Sequence, residues 1–218
     1  MTIKINRFHR DRDPKNAVSI FEVPNEITLL EAFEYISQKL DPSLSFSSGC
    51  RSAVCGSCGV KVNGKEVLAC NYRVENGDEV EPLKNLELKK DLVCSREESS
   101  KGLGDLPTAL DESTCILCNL CWSACPVFEL NSDFKGPIFL SRLWSRFKNV
   151  DAVEQSSQIA SVQKDGVWDC TLCGLCSEVC PQNIDCKNDI NILRGVSTQY
   201  GFSDPNFSNM TFGFDNGF

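Results

Sequence analysis

The sequence predicts an α+β fold in two parts, a small mixed domain over residues 1–100 followed by an all-α domain over 101–218. Three observations carry this. Strand-like segments and turn signals fill the first hundred residues, helical spacing dominates the remainder, and the cysteines fall into separate groups divided between the two parts.

Ile3, Ile5 and the run Val18-Ser19-Ile20-Phe21-Glu22-Val23 have strand content, with Asp11 to Asn16, including Pro14, as the turn between them. Thr28-Leu29-Leu30-Glu31 then forms a capping box. Leu30, Phe33, Tyr35 and Ile36 follow near helical spacing until Asp41-Pro42 stops the helix. Further on, Val60-Lys61-Val62 and Glu66-Val67-Leu68 flank Asn63-Gly64, a hairpin turn because both residues tolerate positive φ. A short closing strand is expected near Asp78 to Glu81, and Ser95 to Asp105 reads as a linker.

From Leu106 the pattern is helical, with an inserted segment from Pro126 to Asp169 between two cysteine loops. Its helix starts at Gly136-Pro137 and carries Ile138, Phe139, Leu140, Leu143, Trp144 and Phe147 on an apolar face, with Arg142, Arg146 and Lys148 directed elsewhere. That stripe reads as core. Gly201 to Phe218 has five phenylalanines among polar residues and no period, as expected for a tail that is solvated or orders against a partner.

The chemistry lies in the cysteines. Cys115-x2-Cys118-x2-Cys121-x3-Cys125-Pro126 and Cys170-x2-Cys173-x2-Cys176-x3-Cys180-Pro181 are two copies of the bacterial-ferredoxin signature, in which soft thiolates hold iron–sulfur cubanes. In two-cluster proteins the cysteine before proline crosses to the other cluster. The expected sets are therefore Cys115, Cys118, Cys121 with Cys180, and Cys170, Cys173, Cys176 with Cys125. Cys50-x4-Cys55-x2-Cys58, followed by Cys70, matches the plant-type spacing for a 2Fe-2S cluster, and Gly49, Gly56 and Gly59 interleave with it where backbone must turn tightly near sulfur. Arg51 and Ser57 within this loop are candidates for tuning the cluster, with surface solvation the alternative role for Arg51. Cys94 and Cys186 are left over and read as packed or free thiols. Zinc and disulfides fit these spacings poorly, because structural zinc favours separated pairs and no apolar leader follows Met1.

Composition narrows the class further. Acidic residues outnumber basic ones, 30 to 22, which argues against a nucleic-acid binder and against a polybasic membrane anchor. No apolar run reaches bilayer-spanning length, so membrane attachment is expected through a partner. No nucleophile–base pair, phosphate loop or flavin fingerprint is visible, and the chain reads as wiring rather than as a catalytic subunit.

In order, these motifs resemble the iron–sulfur subunit of succinate dehydrogenase and fumarate reductase. The resemblance rests on Ser48 to Gly59, Asn63-Gly64-Lys65, Leu68-Ala69-Cys70, Cys115-Ile116-Leu117-Cys118, Cys125-Pro126, Gly136-Pro137 and Cys176 to Pro181. It implies a β-grasp 2Fe-2S ferredoxin domain, a helical ferredoxin-like domain with two cubane-type clusters, FAD in a partner flavoprotein, and electron relay from that flavoprotein to a quinone-reactive partner.

Three departures refine the expectation. Family members with a classical anchor usually lack a cysteine at the position of Cys173 and hold a 3Fe-4S cluster there; with Cys173 present, 4Fe-4S is expected and 3Fe-4S is the alternative. The tryptophan and histidine of the usual quinone pocket are replaced by Leu130 and Thr171, the only histidine being His9. The stretch from Cys70 to Cys115 is shorter than usual. These features resemble the unconventional branch, in which a partner with cysteine-rich domains replaces the haem anchor and electrons pass to menaquinone or thiol chemistry. The complex is then expected peripheral to the cytoplasmic membrane on its inner side, or on the periplasmic side if exported folded. Competing readings are the iron–sulfur subunit of another flavoprotein dehydrogenase and a free-standing polyferredoxin.

Overall fold

In the computed structural model, residues 1–8, 16–95 and 114–205 are described. The expected turn at 11–15, His9, most of the linker with the boundary at residue 100, and the tail beyond 205 lie outside them.

The first part is a five-stranded sheet crossed by one helix. Strands β1 (Thr2–Phe8), β2 (Asn16–Glu22), β3 (Gly59–Val62), β4 (Lys65–Leu68) and β5 (Glu79–Glu81) are ordered β2-β1-β5-β3-β4. β1 and β5 run parallel, with Ile5 opposite Val80, and the other neighbours are antiparallel. Helix α1 (Leu29–Tyr35) begins at the predicted capping box, with Thr28 and Glu31 exchanging side-chain and backbone bonds, and runs through a π turn (Ile36–Leu40) to Asp41. Such a box satisfies two otherwise orphaned N–H groups. Leu29, Leu30, Phe33 and Ile36 meet Ile3, Ile5, Val60, Val62 and Val80 in the core, whereas Tyr35 lies at the exposed margin.

A second hairpin, β6 (Leu88–Lys90) with β7 (Val93–Cys94), has no counterpart in the sequence-based expectation. Its turn residue Asp91, at φ 47°, is fully buried and clamps Arg7 of β1 through Nε at 2.9 Å and Nη2 at 3.1 Å, while Asp41 takes Arg7 Nη1 at 2.6 Å. Arg7 therefore faces inward, because a paired guanidinium can be buried where a lone one cannot.

The second part contains α2 (Leu120–Ser123), α3 (Gly136–Phe147), α4 (Ala152–Ser161), α5 (Leu175–Glu178) and α6 (Cys186–Gln199). α3 starts at Gly136-Pro137 and buries Ile138, Leu140, Leu143 and Phe147 as expected for a core stripe. Arg142 and Arg146 are half-buried rather than solvated, and Arg146 pairs with Glu154 of α4. Leu140, Leu143, Phe147, Ile159, Val167, Ile190 and Leu193 form this part's own apolar cluster.

The two parts also share a core. Leu120, Trp122 and Ile138 belong to the same buried cluster as Ile3, Phe33 and Val60. Asn85, held at φ 59°, donates its amide to the carbonyls of Trp122, Ser123 and Cys125 at 3.1, 3.3 and 3.1 Å, and its own carbonyl accepts from Trp122 Nε1 at 2.9 Å. A residue of the first part thus caps carbonyls at the C-terminal end of α2, of which that of Trp122 also accepts from the Cys125 N–H at 3.3 Å. Asn85→Ala is expected to lose about 3 kcal/mol, from carbonyls left unsatisfied in a half-buried site and from alanine in the left-handed region. The thermal midpoint of the loaded protein checks this; a loss below about 1 kcal/mol would mean that water replaces the amide.

Candidate iron–sulfur centres

The first cysteine loop is built from left-handed residues. Arg51, Ala53 and Gly56 have φ of 61°, 57° and 68°, and this winding turns successive N–H groups inward. Cys50 Sγ accepts from the N–H groups of Ser52, Val54 and Cys55 at 3.4, 3.3 and 3.2 Å; Cys55 Sγ accepts from Cys50, Cys70 Sγ from Ala53, and Cys58 Sγ from Cys70. A Cβ on Gly49 would fall 2.7 Å from Cys55 Sγ, so only glycine admits that sulfur. The Ser57 hydroxyl, helped by the backbone N–H groups of Cys50 and Ser57, draws the Cys55 thiol down to about 6, whereas burial pushes Cys58 up to about 11. Ser57 therefore touches sulfur. Arg51 instead reaches Glu34 of α1 at 2.6 Å and is 65% exposed.

The other two loops repeat one conformation. Leu117 and Asn119 have φ of 52° and 64°, and the corresponding Leu172 and Gly174 have 54° and 89°. A leucine in that region costs about 1–2 kcal/mol, so neither loop is a relaxed chain. Cys125 lines one pocket with Cys170, Cys173 and Cys176. Phe134 and Ile190 line it too, and it is small and mostly apolar. Cys118 and Cys121 are buried in one cluster with Cys115 packed against it, and the half-buried Cys180 accepts at Sγ from the Ile184 N–H at 3.4 Å. Burial raises the Cys125 thiol to about 12 and also raises Cys170.

Two more observations test the fit. Asn119 is 1% exposed and neither its amide nitrogen nor its oxygen has a partner, as expected for a loop folded around a further polar group. Among the described residues no three cysteine, histidine or carboxylate side chains close on one metal-ion position.

The loops touch one another. A Cβ on Gly56 would lie 2.8 Å from Cα and Cβ of Cys118 and 2.9 Å from the Ile116 carbonyl oxygen, and one on Gly59 would lie 3.2 Å from the Cys118 oxygen. Cys186, at the start of α6 and 3% exposed, lies in the same buried cluster as Cys121 and Cys176. Cys94 instead directs its thiol to the Leu83 carbonyl at 3.6 Å. Arg194, which the sequence does not single out, donates to the carbonyls of Val167, Trp168 and Cys170 and anchors the start of the last loop. Nothing in its helical context marks it. Leu130, at the position of the missing tryptophan, is 89% exposed.

A sheet domain with an N–H-lined cysteine loop, packed on helices carrying two further loops, defines an iron–sulfur electron carrier. Residues 2–101 match the family model of a 2Fe-2S iron-sulfur cluster binding domain and 112–184 that of a 4Fe-4S dicluster domain. The chain belongs to the fumarate reductase iron–sulfur subunit family: it is 34% identical to that subunit of Haemophilus influenzae over 88% of this chain and 90% of the relative, and 32% identical to that of Mycobacterium tuberculosis over 85% and 87%. It is also 31% identical to a subunit of the CoM/CoB fumarate reductase of Methanothermobacter marburgensis, over 92% of this chain but only 45% of that protein. A chain of the Mycobacterium smegmatis Sdh1 complex shares the fold, with a TM-score of 0.77 at 20% identity over 93% of this chain and 97% of that one.

Proposed function

We propose that this chain is the non-catalytic electron-transfer subunit of a fumarate reductase or succinate dehydrogenase complex, working beside a flavoprotein that holds FAD. The observation that carries it is the packing of the cysteine loops on one another, with Gly56 against Cys118 and with Cys58, Cys118, Cys121 and Cys176 in one buried cluster. The ligand sets in this reading are Cys50, Cys55, Cys58 and Cys70 for 2Fe-2S; Cys115, Cys118, Cys121 and Cys180 for one 4Fe-4S; and Cys125, Cys170, Cys173 and Cys176 for the other. The division near residue 100 belongs to the same reading and is supported by the family-model matches.

Bound clusters supply one-electron steps that split the pair held by a flavin. The chain's own residues do the rest. N–H groups around Cys50 and Cys55 stabilise negative charge on sulfur, Ser57 adds a hydroxyl donor, and Arg194 fixes the backbone of Cys170. The shared core keeps the groups from moving apart.

The second partner in this reading is a subunit with cysteine-rich domains rather than a haem-bearing anchor, at the inner face of the cytoplasmic membrane, with menaquinone or a thiol couple as the far end. Three observations support it: exposed Cys173, Leu130 and Thr171 where the usual pocket residues would stand, and the Methanothermobacter relative, named for CoM/CoB, that extends well beyond the aligned region. No helix among the described residues is long and apolar enough to cross a membrane. Anaerobic purification of the native complex tests the proposal, scoring bound flavin and succinate-dependent dye reduction on one sample. Flavin with activity is expected; clusters without either would turn the reading to a carrier or another dehydrogenase, and a stoichiometric haem-bearing anchor would remove the cysteine-rich partner.

A further inference from the structure

Lys187 reaches over the last cysteine loop from the first turn of α6. Its N–H donates to Ser177 Oγ at 3.0 Å, and that hydroxyl donates to Asp185 Oδ1 at 2.7 Å, so the backbone of Lys187 is fixed against the residue that follows Cys176. The stem then crosses Gly174: a Cβ there would lie 3.5 Å from Lys187 Cδ, an ordinary contact. Lys187 also lines the pocket shared by Cys125, Cys170, Cys173 and Cys176, and among the described residues around that pocket it alone carries a basic side chain. Asp185, engaged by Ser177 and by the Asn188 N–H at 3.1 Å, is not one of them. Lys187 is exposed, and an exposed lysine lays its methylenes on apolar surface while its ammonium stays in water.

We infer that Lys187 is the counter-charge of the last cluster, offsetting the fourth thiolate that Cys173 brings to it and raising its reduction potential. This rests on the ligand sets proposed above. Reduction adds negative charge to a cluster, which a nearby cation stabilises and a further thiolate opposes. Cys173 and Gly174 are consecutive, so the added thiolate and the lysine stem meet on one turn of the loop. The charge is selective for that site. In the other cubane loop the residue corresponding to Gly174 is Asn119, only 1% exposed, so protein covers the position that Lys187 crosses here. The last site thereby holds an electron that four thiolates alone would push back along the chain.

The test is a redox titration of the purified holo-complex, read by electron paramagnetic resonance, for wild type, Lys187→Arg, Lys187→Met and Lys187→Glu. Methionine keeps a stem of similar length without the charge and is expected to lower the midpoint potential of one cubane signal, the one that Cys173→Ser removes from the reduced spectrum. Glutamate should lower it further, arginine should hold it near the wild-type value, and the 2Fe-2S and other cubane midpoints should stay in place. Lys187 is exposed, so all three variants should keep wild-type iron. An unshifted potential in the methionine and glutamate variants, a fall in arginine equal to that in methionine, or equal shifts of both cubane signals would overturn the inference. Wild-type protein without two cubane signals, or Cys173→Ser that alters neither, would instead defeat the ligand sets.

Discussion

Gly56→Ala is expected to cost about 3 kcal/mol of stability and to strip iron from the loops on both sides of the contact. Two effects add. Gly56 sits at φ +68°, where a non-glycine residue costs about 1–2 kcal/mol, and its new Cβ would fall 2.8 Å from the Cα and Cβ of Cys118 and 2.9 Å from the Ile116 oxygen, an overlap of the kind that costs about 1–3 kcal/mol. The atoms in the way are backbone and the stem of a predicted ligand, so no flexible side chain can swing aside. Gly77 provides the control: its φ is +92° but nothing lies within 4 Å of its Cβ position, so Gly77→Ala should cost only the conformational term and retain full iron. Iron per chain and the magnetic interaction between the 2Fe-2S and neighbouring cubane signals are the measurements. Wild-type iron and wild-type interaction in Gly56→Ala would show that the loops do not interlock.

Cys173→Ser should convert the last cluster to a three-iron species. Cys173 is exposed and lines one pocket with Cys125, Cys170 and Cys176, and in the proposed ligand set it is the fourth thiolate, at the position where the resemblance gives relatives with a classical anchor a non-cysteine residue. The expected result is one iron fewer per chain, a paramagnetic signal in the oxidised state, and a potential higher on the order of 100 mV, well within the roughly −700 to +450 mV that cluster type and surroundings span. Because Cys173 is exposed, the fold and the other clusters should survive. A variant with unchanged iron and unchanged spectrum would remove Cys173 from the ligand set.

The part of this molecule that can be read from sequence is local. The capping box at Thr28, the Asn63-Gly64 turn, the helix start at Gly136-Pro137 and the grouping of Cys125 with Cys170, Cys173 and Cys176 each depend on residues at short spacing or on a strict chemical signature. What escapes depends on partners far apart in the chain. Arg7 shares the inward face of Ile3 and Ile5, but nothing near it in sequence shows what would pair a charge there; Asp91, 84 residues away, does. Asn85 carries no mark of a helix cap for α2, and the β6–β7 hairpin, rich in lysine and turning at an aspartate, lacks a strong turn pair. Leucine gives no hint of the left-handed backbone at Leu117 and Leu172, since its propensity opposes it. Cys186 reads as a leftover because spacing alone cannot say which buried cluster a helix start will join.

The apolar cluster common to both parts has a kinetic meaning. Leu120, Trp122 and Ile138 cannot leave Ile3, Phe33 and Val60 without uncovering a core, so no hinge of low energy separates the cysteine groups. Tunnelling distances inside the chain are then set once, at folding. Passage along this path should be indifferent to solvent viscosity, and any viscosity dependence of turnover must arise where the chain meets the proteins that donate and collect its electrons.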